Sequence, residues 1–253
     1  MKTFLKDKLN VKIMENRTQM GEVAAKDIHD RILILLSEKE TINMIFAAAP
    51  SQNDVLSSLI KYDDIEWNRI NAFHMDEYIG LGEALKDRSF STYLTDHIFG
   101  KVPFKSINLI NSTATDAKAE CERYTKILND NPTDIVVMGI GENGHIAFND
   151  PWVAKFDDEY VVKVVDLDDV CRQQQVNDGC FENIDLVPKQ AMTLTCPTLT
   201  RANHLFCIVP AITKANAVKT TIEGDISEDC PATILRRHDD ATLYLDGDSS
   251  SLL

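Results

Sequence analysis

The sequence predicts an α/β protein with a doubly wound, mostly parallel sheet and helices on both faces, a Rossmann-like three-layer sandwich. Three observations support this fold class. Short apolar runs rich in β-branched residues recur, as is typical of buried strands. Stretches with apolar residues at helical spacing lie between them. Several strands end in glycine-rich or polar turns, where open α/β sheets place their binding sites. The 253 residues contain no linker or repeat, so we expect a single domain spanning 1–253.

The individual elements follow from these patterns along the chain. Helical spacing predicts a helix over residues 21–37, and capping or dipole signals predict helices at 53–61, 115–128 and 213–223, with Ser51 and Thr213 as N-caps. Apolar runs predict strands at residues 41–49, 67–75, 105–111, 135–138, 160–165, 191–195, 204–210 and 241–246. Shorter helical or turn segments are expected at 89–97, 168–175, 197–202 and 231–238.

Composition excludes several classes of function. The formal net charge of −14 argues against nucleic acid, which needs a basic face, and against an anionic membrane surface. An anionic metabolite stays compatible, because a local cluster of Lys, Arg and backbone N–H groups holds a phosphate even in an acidic protein. The six cysteines are scattered without a C-x-x-C pair, so we expect buried, reduced thiols rather than metal ligands or disulfides. No N-terminal apolar segment or long apolar run occurs, so a cytoplasmic protein is expected.

The most informative stretch follows the predicted strand at residues 135–138. Three glycines, Gly139, Gly141 and Gly144, come directly before His145. Glycine allows positive φ and close approach of a ligand to the backbone. The spacing matches the dinucleotide-binding motif, but no helix start follows the third glycine, so a sugar-phosphate or acid–base site is favoured over nucleotide binding. A tight turn alone would explain the three glycines, but it would not explain why His145 and Asp150 lie in the same loop.

A second polar cluster, Asp76-Glu77-Tyr78, follows the strand predicted at 67–75. Two adjacent acids in an acidic protein usually form a solvated turn. Here the preceding residues are apolar and the cluster lies at the carboxyl end of a strand, which favours a chemical role. Lys214 lies in the first turn of the helix predicted at 213–223, where a cation opposes the helix dipole unless it holds an anion. We therefore interpret Lys214 as an anion ligand, although a solvated lysine is common.

The two clusters together resemble the glucosamine-6-phosphate deaminase/isomerase family. The resemblance is carried by Phe73-His-Met-Asp-Glu-Tyr-Ile-Gly-Leu81 and, later in the chain, by Gly139-Ile-Gly-Glu-Asn-Gly-His-Ile-Ala-Phe-Asn-Asp-Pro151. It covers most of the chain and includes the closing Pro231-Ala-Thr-Ile-Leu235 pattern shared with the 6-phosphogluconolactonases. It implies the doubly wound fold of that superfamily, in agreement with the patterns above.

The resemblance also implies a chemistry, the deamination and aldose–ketose isomerisation of an aminosugar 6-phosphate. The family's ring-opening histidine corresponds to His145, its helper positions to Asn143 and Asp150, and its base for the C2 proton to Asp76. The residues expected to hold the substrate and its phosphate are Ser51, Gln52, Glu77, Gly141, Gly144 and Lys214. The reaction requires neither a metal nor an organic cofactor, and a homo-oligomer is compatible with the acidic surface.

Three positions depart from the family's pattern. Asn143 replaces the aspartate of many members, and Asp150 replaces a glutamate, which draws the carboxylate back by about 1 Å. The glycine- and threonine-rich phosphate turn is here Ala48-Ala-Pro-Ser-Gln52, without glycine. An arginine that some members place before the segment at residues 187–189 has no clear match, although Arg172 lies nearby.

Several alternatives stay open at this point. A galactosamine-type epimer or simple isomerisation is compatible with the same residues. A lactone hydrolase with His145 as base is less favoured, because related lactonases usually read Gly-His-Thr-Ala-Ser-Leu-Phe-Pro where this chain reads Gly-His-Ile-Ala-Phe-Asn-Asp-Pro. A non-catalytic sugar-phosphate sensor would explain the altered phosphate turn but not the joint presence of Asp76 and His145.

Overall fold

A computed structural model describes residues 1–177 and 179–253, apart from the side chain at residue 83. Within these residues the strands are β1 (Lys2–Lys6), β2 (Leu9–Ile13), β3 (Ile42–Phe46), β4 (Ile70–His74), β5 (Asp76–Tyr78), β6 (Ser106–Asn108), β7 (Ile135–Met138), β8 (Val162–Asp166), β9 (Gln190–Leu194), β10 (His204–Val209) and β11 (Ala241–Leu245). The α-helices are α1 (Arg17–Glu38), α2 (Asn53–Leu59), α3 (Phe90–Leu94), α4 (Ala117–Asp130), α5 (Asp169–Asn177), α6 (Cys196–Thr200) and α7 (Ala215–Glu223).

The larger sheet confirms the predicted fold class. In the described part of the chain it has eight strands in the order β1-β2-β11-β10-β7-β3-β4-β6. Every neighbouring pair is parallel except the β1–β2 hairpin. The prediction missed this hairpin, because lysines interrupt its short apolar runs. After β3 the chain adds β4 and β6 on one side, and after β7 it adds β10 and β11 on the other. The carboxyl ends of β3 and β7 therefore border the crevice in which open α/β sheets bind ligands.

Hydrophobic cores lie on both faces of this sheet, as the three-layer prediction requires. Successive side chains of a strand point to opposite faces. On β3, Met44 and Phe46 pack into the core that includes α1 and α2, whereas Ile45 packs into the core that includes α4 and α7. The cysteines are free, and five of the six are buried, as expected from their scattered positions. Among the described helices, none has the length and apolar character needed to cross a membrane.

A second, antiparallel sheet of the described residues, ordered β5-β9-β8, was not expected. Periodicity identifies strands but not their partners, so the strands predicted at 160–165 and 191–195 were assigned to one parallel sheet. The cluster Asp76-Glu77-Tyr78 is itself the buried strand β5, and Asp76 pairs with Thr193. Since Met75 alone separates β4 from β5, the second sheet carries Asp76 directly past the carboxyl end of the first.

Two predicted N-caps are wrong. Ser51 lies inside a 3₁₀ turn, Pro50–Gln52, that leads directly into α2, and no side-chain cap hydrogen bond is made there. Thr213 lies inside a similar turn, Ile212–Lys214, before α7. In both places the tight turn continues into the helix, so the capping position that the sequence suggested does not exist.

Candidate active site

A cleft opens at the carboxyl ends of the central parallel strands. Its walls come from the segments that follow β3, β4, β7 and β10, and from α5. The empty space at this cleft, about 680 Å³, includes part of the open solvent above it. Five of the predicted site residues line it, namely Ser51, Asp76, Gly141, His145 and Lys214. The other five, Gln52, Glu77, Asn143, Gly144 and Asp150, lie behind its walls.

The imidazole of His145 is held in one orientation and one tautomer. Asn143 Oδ1 accepts the backbone N–H of His145 at 3.0 Å and also faces Nδ1 of the ring at 2.8 Å. The amide nitrogen of Asn143 donates to Asp150 Oδ1 at 2.8 Å, and this same oxygen lies 3.1 Å from His145 Nδ1. Because both partners of Nδ1 are acceptors, Nδ1 carries the proton and Nε2 is left to accept one.

Asp150 is ionised in this network. Burial alone would raise the pKa of its carboxyl, but the hydrogen bond and charge of His145, with hydrogen bonds from Asn143 and the Cys171 thiol, hold the pKa below its ordinary value. An ionised Asp150 stabilises a positive charge on the imidazole, which Asn143 cannot do by itself. Although aspartate is one methylene shorter than the glutamate usual in the family, Asp150 Oδ1 reaches His145 Nδ1 at 3.1 Å.

Gly141 and Gly144 are each required at their positions in the loop, but for different structural reasons. A Cβ on Gly141 would lie 2.2 to 2.4 Å from three ring atoms of His145, so only glycine lets the imidazole lie against this segment. Gly144 has φ +85°, and a Cβ there would lie 2.4 Å from the sulfur of Cys230. Gly144 shapes the turn against Cys230 and does not line the cleft, and its contact with substrate stays a prediction.

Asp76 reaches the cleft from β5 and is 7% exposed. Burial, and secondarily the nearby charge of Glu77, raises the pKa of Asp76 well above its ordinary value. A carboxylate with a raised pKa is a stronger base once ionised. The position and the electrostatics of Asp76 therefore both suit proton abstraction.

Glu77 does not contact the cleft, contrary to the prediction. Its side chain lies on the opposite face of β5 from that of Asp76 and is fully buried. Its carboxylate accepts hydrogen bonds from the backbone N–H groups of Tyr78, Phe90 and Ser91 at 2.9 to 3.1 Å. These bonds tie β5 to the start of α3. Adjacent residues of a strand face opposite sides, so Asp76 and Glu77 could not both face one ligand.

The turn after β3 is built without glycine. Gln52 is fully buried, and its amide nitrogen donates to Ser51 Oγ at 3.0 Å and to the carbonyl of Ile208 at 3.3 Å. Because Ser51 Oγ accepts from Gln52, its own proton is directed elsewhere, and Ser51 lines the cleft. Gln52 thus positions Ser51 rather than lining the cleft. Arg17 binds the carbonyl of Pro50 and braces the turn from outside.

Lys214 lines the cleft from the segment after β10 and is buried. Its turn begins at Ala211, which has φ +81°, a conformation that L-residues rarely adopt. The carboxylate of Asp246, at the end of β11, accepts the backbone N–H of Ala211 and of Ser249. Asp246 therefore fixes the turn that presents Lys214.

Helix α5 adds cleft residues that the sequence did not reveal. Gln174 and Gln175 line the cleft; Gln174 accepts the backbone N–H of Glu142 at 2.9 Å, and Gln175 accepts the hydroxyl of Tyr78 at 2.6 Å. Arg172 instead binds the carbonyls of residues 184 and 187, away from the cleft. A run of polar residues on a short helix looks solvated in sequence, so no local pattern marked these glutamines.

A possible metal-ligand set does not fit a metal ion well. Atoms of His145, Asp150 and Cys171 that could bind a metal lie within 4.8 Å of one another. However, Nδ1 of His145 and Oδ1 of Asp150 already face each other at 3.1 Å, in a network that also includes Asn143. Burial also raises the pKa of the Cys171 thiol. The set serves better as a hydrogen-bond network.

Comparisons with known proteins agree with the site. The model of the family described as glucosamine-6-phosphate isomerases/6-phosphogluconolactonase matches residues 15–244. A glucosamine-6-phosphate deaminase of Streptococcus suis is 38% identical over 195 residues, which cover 77% of this chain and 81% of that protein. The solved structure of a monomeric glucosamine-6-phosphate deaminase superposes with a TM-score of 0.86 at 30% identity, over 96% of this chain and 99% of that one. The 6-phosphogluconolactonase of Thermotoga maritima superposes with a TM-score of 0.76 at 18% identity, over 94% and 100% of the two chains, a likeness that shows the fold alone.

Proposed function

The chain belongs to the glucosamine-6-phosphate isomerase/6-phosphogluconolactonase family, and we propose that it converts an aminosugar 6-phosphate and water into a ketohexose 6-phosphate and ammonia. Its relatives suggest the reaction class. The observation that carries the proposal is the cleft itself, in which Asp76 and His145 are combined with Ser51 and Lys214. An acid–base pair and two anion ligands are the groups that this reaction requires.

His145 opens the sugar ring. Nε2 accepts the proton of the anomeric hydroxyl while the bond between C1 and the ring oxygen breaks, and the same proton then passes to that oxygen. The products of this step are an open-chain aldehyde and a neutral imidazole. The transient imidazolium is stabilised by Asp150, whose ionised state follows from its lowered pKa.

Asp76 removes the proton from C2 of the open-chain sugar. The electrons of that C–H bond form the C1–C2 double bond, while the π electrons of the C1 aldehyde move to its oxygen, which takes a proton to give an enol-type intermediate. The nitrogen lone pair then forms a double bond to C2 as the C1–C2 π electrons take up a proton at C1. The nitrogen on C2 is left as an imine, water adds to C2, and the C–N bond breaks to release ammonia. Burial matters here, because a partly desolvated carboxylate is the stronger base toward a carbon acid.

Ser51 and Lys214 hold the phosphate. The hydroxyl proton of Ser51 is available because Gln52 occupies an acceptor position on Oγ, and Lys214 supplies charge from a buried position on the other wall. This pair replaces a glycine-rich phosphate turn. It explains how a turn reading Ala48-Ala-Pro-Ser-Gln52 still serves a phosphorylated substrate.

The test is an assay of the purified protein with glucosamine 6-phosphate and with galactosamine 6-phosphate, following ammonia and ketose phosphate separately. We expect ammonia and ketose in equal amounts from at least one of the two sugars. Ketose phosphate formed from an aldose 6-phosphate with a hydroxyl at C2, with no ammonia from either aminosugar, would restrict the activity to isomerisation. Turnover of 6-phosphogluconolactone with neither aminosugar consumed would refute the proposal, and binding of aminosugar phosphate without any turnover would indicate a sensor.

A further inference from the structure

The arginines of this acidic chain are almost all neutralised by carboxylates. Among the described residues, seven of the nine arginines form an ion pair with an aspartate or glutamate, namely Arg17, Arg31, Arg69, Arg88, Arg123, Arg172 and Arg236. The described side chains supply no carboxylate partner for Arg201 or Arg237 within ion-pair distance. In a protein with a net charge of −14, two arginines without a carboxylate partner are unexpected.

The topology places these two arginines side by side. Arg201 lies in the turn before β10, and Arg237 lies in the turn before β11. The two strands are parallel neighbours whose first paired residues are Leu205 and Ala241. Both arginines consequently line one groove at the amino ends of these strands, whereas the catalytic cleft lies at their carboxyl ends.

The groove combines charge with apolar contact surface. The guanidinium of Arg237 lies 5.4 Å from the ring centroid of Phe156, which holds it by a cation–π contact, and Ile234 lines the same groove. The one carboxylate in the lining, among the residues described, is that of Asp239, and it is paired with Lys8 at 2.5 Å. The positive charge of the two arginines is therefore left for a ligand.

The neutral residues of the groove do not offset this charge. His238 uses both ring nitrogens inside the protein, one with the carbonyl of Ala202 at 2.8 Å and one with the backbone N–H of Asp240 at 3.0 Å. Neither ring nitrogen is therefore directed at the arginines or at a ligand in the groove. The side chains of Arg201 and Arg237 are both exposed, so an anion in the groove can reach their guanidinium groups.

We propose that this groove is a second, non-catalytic binding site for a small oxyanion, a phosphate or carboxylate group carried on a compact body that packs against Phe156 and Ile234. Guanidinium groups suit such a ligand because each presents several donors in one plane to two oxygens. The site is separate from the cleft of Ser51 and Lys214, and the proposal stands whichever reaction that cleft catalyses.

The test is equilibrium dialysis of the full chain against labelled inorganic phosphate at low ionic strength. We expect two classes of bound phosphate. Lys214→Ala should abolish one class and leave the other. Arg201→Ala and Arg237→Ala should each weaken the second class about tenfold or more, the usual effect of losing a hydrogen bond to a charged group, and leave the first unchanged.

A matched control removes an equal charge elsewhere. Lys126→Ala on α4 loses one exposed cation and should leave both classes of bound phosphate unchanged. Acetate competing for the second class would extend the ligand class to carboxylates, and a lack of competition would restrict it to phosphates. A single class of phosphate lost in Lys214→Ala, or a second class that survives both arginine substitutions, would overturn the proposal. The arginines are on the surface, so circular dichroism of each variant will check that folding is retained.

Discussion

Gly141→Ala is the change that most sharply tests the placement of His145. The new Cβ would lie 2.2 Å from the nearest ring atom, whereas ordinary contact begins at 3.4 Å, so the imidazole must retreat by about 1.2 Å. A displacement of that size disrupts the contacts of Nδ1 with Asn143 at 2.8 Å and with Asp150 at 3.1 Å, because a hydrogen bond tolerates only a few tenths of an ångström. A catalytic group misplaced by about 1 Å costs roughly 10²-fold in rate.

The assay for this prediction is ammonia release under saturating aminosugar phosphate, with the melting temperature measured in parallel. We expect kcat to fall by about 10²-fold while KM changes little, because Ser51 and Lys214 are untouched. The matched control is Gly80→Ala, where the added Cβ meets no atom within 4 Å and costs only backbone strain at φ +77°. If Gly141→Ala keeps more than a third of the wild-type kcat, His145 is not held as described.

Three further predictions concern residues around the cleft. Cys171→Ala removes the thiol hydrogen bond to Asp150, so the pKa of Asp150 should rise and the acid limb of the pH profile of kcat should move to higher pH. Cys171→Ser keeps a hydrogen-bond donor and should restore the wild-type profile. Identical pH profiles for the two variants would exclude the contact between residue 171 and Asp150. In His74→Gln, acid stability should improve. Burial lowers the pKa of His74 to about 3, so between pH 6.5 and 3 only the unfolded chain takes up this proton. This lowers the free energy of unfolding by up to about 1.4 kcal/mol per pH unit of acidification, in addition to the slope from carboxylates such as Asp150, whose pKa the fold lowers. Denaturant titrations of the variant should show a slope that is smaller by the His74 contribution. Gln52→Leu leaves Ser51 without its donor and should raise KM for the sugar phosphate several-fold with little change in kcat, whereas an equal loss of both would mean that Gln52 acts on the chemistry.

The sequence predicted the parallel sheet well because buried parallel strands are continuous apolar runs, such as residues 135–138, whose length and composition are local properties. It also placed His145 and Asp76 at one cleft, since each follows such a strand and the carboxyl ends of parallel strands meet at one edge. Those positions follow from order along the chain and from sheet topology, without knowledge of side-chain packing.

The remaining features depend on contacts between distant segments. The pairing of Asp76 with Thr193 in a second sheet joins residues that no periodicity relates, so Glu77 was assigned to the site although strand alternation turns it away. The two glutamines of α5 and the anchoring carboxylate of Asp246 reach the site through tertiary packing alone. The packing of Gly144 against Cys230 is also hidden from the sequence, because a glycine required by a neighbouring side chain looks the same as one required by a ligand.

The most direct test of the central claim is Asp76→Asn, assayed for ammonia release and, separately, for binding of the aminosugar phosphate by calorimetry. The substitution keeps the size of the side chain and removes its basicity. We expect turnover to fall by roughly 10²–10⁴-fold, the usual effect of losing a general base, with binding weakened by no more than a few-fold. Turnover within a factor of ten of wild type, with the variant folded, would contradict the assignment of Asp76 as the base and with it the proposed mechanism.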